Sequence, residues 1–173
     1  VMGLCLLAVR MKSFESGMFQ KLAASQASGR GNFFRLFSTP ERALRYLSCI
    51  AVGLPIWFAV GVLVALCARF AEAGGASKDI AVGQAVMWAY VGISFGDLVS
   101  GFLSQLLSSR RKVILAYLLF LTAVSGVYLT SHGLSALQFY AMTFLIGTGV
   151  GYWALFVTVA SEQFGTDIRS TAA

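Results

Sequence analysis

Charged residues make up only 12% of this 173-residue chain, against about a quarter in an ordinary soluble domain. That scarcity argues against water as the solvent for most of the chain. Histidine occurs once, as His132 in Ser131-His132-Gly133, which reads as an ordinary surface turn. The sequence holds no cluster of His, Asp or Glu of the kind a membrane enzyme needs, so an enzymatic role is not expected. Cys5, Cys49 and Cys67 stand apart within apolar sequence, with no CxxC spacing and no Cys/His group. Neither a zinc site nor a disulfide framework is indicated, and the cysteines read as small buried hydrophobes. No metal or other cofactor is expected. Proline occurs twice and glycine 18 times, a balance that suits packed membrane helices better than a soluble core.

What is present is apolar sequence: 58% of residues are hydrophobic, and the mean hydropathy is +0.78. Four long apolar runs stand out, at about 46–70, 84–107, 113–130 and 137–160. Each is close to the roughly 20 residues needed to cross a hydrocarbon layer of about 30 Å. In lipid the backbone must satisfy its own hydrogen bonds, and runs of this length do so as helices. Barrel strands are half as long and alternate. A shorter run, Val1–Val9, is followed by Arg10. A signal peptide carries its charge before the apolar stretch, so residues 1–9 are expected to be the end of a further membrane helix.

The basic residues fall between the runs. Residues 10–45 hold seven, the turn at 108–112 holds Arg110, Arg111 and Lys112, and Arg169 follows the last run. With four crossings, eleven basic residues collect on one side and only Arg69 and Lys78 on the other. That bias places the basic side in the cytoplasm. It also accounts for the net charge of +6 without a nucleic-acid partner. Within 10–45, Leu22–Gly31 reads as flexible, and Asn32–Phe37 mixes aromatics with Arg35 as a segment at headgroup level does. Thr39-Pro40-Glu41 reads as a helix start leading into the first run.

Several features lie inside the runs. Gly92, Gly96, Ser100 and Ser104 recur every four residues and form a ridge of small side chains along the second. Gly147 and Gly151, extended by Thr143, make a shorter ridge on the fourth. Gly147-x-Gly149-x-Gly151 is not a phosphate loop, since it lacks a preceding strand and a Lys-Ser/Thr pair. Asp97 is the one carboxylate well inside a run, about 10 Å from the basic turn by helical rise. It reads either as a proton-titrating or gating group, or as a structural carboxylate bonded to a neighbouring helix end or an arginine. Gly101 and Gln105 continue a polar stripe from it toward the basic side. Pro55 marks either a hinge or pocket wall, or simple local shape. Trp57, Trp88, Tyr90, Tyr152 and Trp153 are either pocket aromatics or packing and lipid-facing residues.

Two motifs carry a family resemblance. Gly101-Phe-Leu-Ser-Gln-Leu-Leu-Ser-Ser-Arg-Arg-Lys112 resembles the major facilitator signature between the second and third helices of a half. Ala160-Ser-Glu-Gln-Phe-Gly-Thr-Asp-Ile-Arg169 is similar to the glutamate-aromatic-(Pro/Gly)-Thr-x-x-Arg motif after the fourth helix in sugar-porter and metabolite-symporter branches. The long basic segment before the first run is similar to the link between the family's halves. The resemblance implies an all-α integral membrane fold, a partial half-bundle of four complete transmembrane helices plus the end of a preceding one. It implies a cytoplasmic gate built from Gly101, Gln105, Arg110, Arg111, Glu162 and Arg169, with Glu162 as the acidic partner. The chain departs from the signature at Gln105, where the family has Asp, and its turn lacks the usual glycine.

The expected function is secondary transport of a small organic solute, such as a sugar or carboxylate metabolite, by alternating access and coupled to protons. The alternatives are an uncoupled facilitator of the same fold and a non-transporting membrane scaffold. The expected partners are the solute, protons, the lipid bilayer and an N-terminal half of the same chain. The expected location is the plasma membrane, or a bacterial inner membrane, with 10–45 and 108–112 in the cytoplasm.

Overall fold

The computed structural model describes residues 37–76 and 80–163. Val1–Val9, most of the basic 10–45 segment, Lys78, Asp79 and Arg169 lie outside them. Every element among the described residues is a helix. They are α1 (Pro40–Phe58), continued by a π-helical stretch (Ala59–Val64), then α2 (Cys67–Ala73), α3 (Val82–Leu106), α4 (Arg110–Thr130), α5 (Ala136–Val150) and α6 (Trp153–Glu162). Four helical spans are long and apolar enough to cross a membrane: Pro40–Val64, Val82–Leu106, Arg110–Thr130 and Ala136–Glu162. Their surface fits lipid rather than water: Leu98, Leu119 and Leu137 are 76%, 65% and 79% exposed.

Local chemistry sets the helix ends. Thr39 occupies the position before α1 with an extended backbone, and Pro40 and Glu41 fill its first turn, although the Thr39 side chain makes no capping bond. Ser135 starts α5 through a reciprocal capping box with Gln138. The amide of Ala81, just before α3, donates to the Tyr140 hydroxyl at 2.9 Å. At the end of the bundle opposite the basic turn, Gly133 N–H donates to the Gly74 carbonyl at 2.8 Å, joining the loop after α2 to the loop after α4.

Two spans depart from regular helix. In the first, α1 continues through Pro55, whose missing N–H leaves the Ala51 carbonyl without its usual donor. The irregularity comes one turn later, where Ala65 N–H reaches back five residues to the Val60 carbonyl at 3.1 Å. The run read as 46–70 is therefore α1, the π stretch and α2, with a turn at Ala65 and Leu66. The fourth run, read as one crossing over 137–160, divides into α5 and α6 at Gly151 and Tyr152. Gly147, Gly149 and Gly151 lower helix propensity in the turns before that break.

The closest packing in the bundle is between α3 and α5. A methyl on Gly92 would collide with the Phe144 carbonyl, one on Gly96 with the Thr148 carbonyl, and one on Gly147 with the Ala89 carbonyl. Gly151 lies directly against Gly96 and the Asp97 amide. The two small-residue ridges thus face each other, backbone to backbone. Ser100 and Thr143 on the same faces are fully buried, whereas Ser104, at the basic end, is half-buried. Gly149 faces the other way, toward the Leu121 side chain on α4.

Candidate functional site

The contact between Gly96 and Gly151 sets the break in the fourth span beside Asp97. The first amides of a helix have no acceptor within it and carry the positive end of its dipole. α6 starts at Trp153, and the Ala154 amide is in electrostatic contact with the Asp97 carboxylate. One oxygen, Asp97 Oδ1, is nonetheless buried without a hydrogen-bond partner. The carboxylate thus has a helix end on one side and unused acceptor capacity on the other.

Two tyrosines frame this point. Tyr117 on α4 is buried and donates its hydroxyl to the Gly96 carbonyl at 2.9 Å, one residue before Asp97. Its ring meets that of Tyr152 edge-on, with centroids 6.3 Å apart. Tyr152, at the break itself, is fully buried and donates to the Val52 carbonyl on α1 at 2.8 Å. Tyr152 is therefore an anchor between the first and fourth spans rather than the wall of an open pocket. Ser100 turns its hydroxyl to the Asp97 carbonyl at 3.0 Å, which leaves the Asp97 side chain untouched.

The remaining sequence-derived residues are dispersed. Trp57 and Trp153 come together edge-on at 5.5 Å, joining α1 to the start of α6. Trp57 also lines a cavity of about 230 Å³ with Gly53 and Phe156. Trp88 lies elsewhere, against Phe144, with ring centroids 6.4 Å apart, and Tyr90 is exposed. These aromatics do not gather around one point. Pro55 lies inside α1, three residues after Val52. Gly101 has open space where a side chain would be, and Gln105 is exposed near the end of α3.

At the basic end, Arg110 Nη1 donates to Glu162 Oε1 at 2.6 Å, with the two side chains 43% and 54% exposed. Arg111 lies next to this pair, in a cavity shared with Arg45. The turn between α3 and α4 places Ser108 at φ +47°, in the left-handed region that favours glycine. Tyr117, Ala154, Ser108 and Arg45 are not among the site residues expected from the sequence. Tyr117 carried a signal, since a tyrosine within an apolar run needs a partner for its hydroxyl. Nothing in the sequence marks Ala154, which acts through its backbone.

Among the described residues, no group of three or more His, Cys, Asp or Glu side chains is placed to hold a metal ion. Compared with protein-family models, curated proteins and solved structures, the chain matches none.

Proposed function

We propose that this chain belongs to a secondary transporter that moves a small organic solute by alternating access, with proton coupling through Asp97. The observation that carries this reading is the position of Asp97. Its carboxylate lies inside a span, beside the break of a discontinuous helix, with a buried oxygen that has no partner. Transporters place solute and ion sites at such broken helices near mid-membrane, where half-helix ends and unwound backbone supply the polar contacts. An intramembrane carboxylate with spare acceptor capacity is suited to taking up and releasing a proton. The Arg110–Glu162 pair at the basic end supports a gate at the cytoplasmic side, because it ties the start of α4 to the end of α6 where an inward-facing passage would open.

The test is transport in proteoliposomes, with the N-terminal half that the major facilitator resemblance implies. Asp97→Asn is expected to abolish accumulation driven by a pH gradient while sparing solute exchange. Equal loss of both would leave Asp97 a structural role and remove the coupling from the proposal.

A second reading, the uncoupled facilitator, is favoured by the Ala154 amide, which gives an ionised Asp97 a fixed partner at a helix end. A protonophore separates the two. It stops accumulation by a symporter and leaves downhill equilibration by a facilitator unchanged.

A further inference from the structure

We propose that the basic end of the bundle binds one anionic phospholipid, with its phosphate on Arg45 and Arg111 and an acyl chain in the groove between α1, α4 and α6. The inference needs only that the helices lie in a bilayer, and it does not depend on what is transported.

Two adjoining cavities carry it. The first, about 290 Å³, is a groove between the three helices, walled by side chains such as Val52 on α1, Leu118 on α4 and Phe156 on α6. The second, about 660 Å³, lies at the mouth of the groove and is lined by Arg45, Arg110, Arg111 and Glu162. Arg111, Val159 and Gln163 line both, so the polar mouth and the apolar groove are continuous. From Arg45 to Val52, and from Arg111 to Leu118, the groove deepens by about 10 Å of helical rise. That is well over half the thickness of one hydrocarbon leaflet.

The charge at the mouth is unbalanced. Glu162 is engaged by Arg110. Among the described residues, Arg45 and Arg111 have no ion-pair partner. Two exposed cationic side chains therefore face an opening at the level where lipid headgroups lie, and their charge attracts an anionic headgroup. A neutral zwitterionic lipid fills the groove equally well but satisfies these charges less well. A soluble anion satisfies the charges and leaves the groove empty. An anionic diacyl lipid does both, and basic residues at a membrane surface attract such lipids.

Native mass spectrometry on the purified protein tests this, with phosphatidylglycerol or phosphatidylcholine offered at equal concentration and the lipid retained by each molecule counted. Phosphatidylglycerol is expected to be retained preferentially. Arg45→Gln and Arg111→Gln should each weaken its retention by about fivefold, and Arg111→Lys should preserve most of it. Leu118→Trp, which fills the groove and leaves the charges in place, should also weaken it, while glycerol phosphate should fail to displace the lipid. Thermal unfolding in detergent identifies any variant that does not fold; Arg111→Lys then carries the charge arm and glycerol phosphate the groove arm. Equal retention of the two lipids, displacement by glycerol phosphate, or no effect of the folded arginine and Leu118 variants would each overturn the proposal.

Discussion

Arg110, the first residue of α4, holds Glu162, the last residue of α6, through a hydrogen-bonded ion pair at 2.6 Å. The two are 52 positions apart in sequence. Because both side chains are about half exposed, the pair contributes little to stability, about 1 kcal/mol or less. Its value lies in joining two helix ends. Reversing either charge alone, by Arg110→Glu or Glu162→Arg, is expected to impair transport strongly with only a small change in melting temperature. The double swap should recover part of the activity. A double swap no better than the single changes would show that the pairing is unimportant to transport.

The contact between α3 and α5 makes a sharper stability prediction. Gly96→Ala puts a methyl group against the Thr148 carbonyl and the Gly151 backbone, neither of which can rotate away. A cost of about 1–3 kcal/mol is expected from overpacking, and Gly151→Ala should behave alike. Gly126 on α4 has open space around it, so Gly126→Ala should be neutral or stabilise by up to about 1 kcal/mol. Thermal unfolding in detergent compares the three, and equal effects would contradict backbone-to-backbone packing.

Ser108 offers a stabilising change. Its φ of +47° is a conformation that a side chain makes costly by about 1–2 kcal/mol and that glycine adopts freely. Ser108→Gly should raise the melting temperature, while Ser109→Gly, next to it in extended backbone, should not.

The crossing pattern is open to chemical labelling. With the native cysteines replaced, a cysteine at Ser109 should react with an impermeant thiol reagent from the cytoplasmic side only. One at His132, in the turn after α4, should react from the other side only. Reaction of both from the same side would rule out α4 as a full crossing.

Much of the helical layout was legible because lipid leaves the backbone few choices. Apolar runs of sufficient length have to be helices, and the runs at 84–107 and 113–130 coincide closely with α3 and α4. The glycine spacing of α3 was readable for the same reason, since small residues four apart form a straight ridge on any helix. The breaks were harder. Gly151 was read only as a packing residue, whereas it also ends α5, and periodicity alone does not separate those roles. The π stretch after Pro55 has no side-chain signature of its own. At the candidate site, Asp97 is conspicuous as a lone carboxylate, but the group that faces it is a backbone amide at the start of α6, which any residue would supply. The Ser135-x-x-Gln138 box was available in the sequence and fixes the start of α5.

The division of the fourth span carries one further consequence. α5 has 15 residues and α6 has 10, lengths of about 22 and 15 Å, and neither alone covers the roughly 30 Å of hydrocarbon. Only end to end do they reach from one surface to the other. The seam between them is buried against Gly96 and the Asp97 amide, and the amides of Gly151 and Tyr152 turn back to the carbonyls of Thr148 and Val150. With the seam closed on itself, the polar demand at this depth comes from one atom, Asp97 Oδ1, and any group that meets it has to bring a donor.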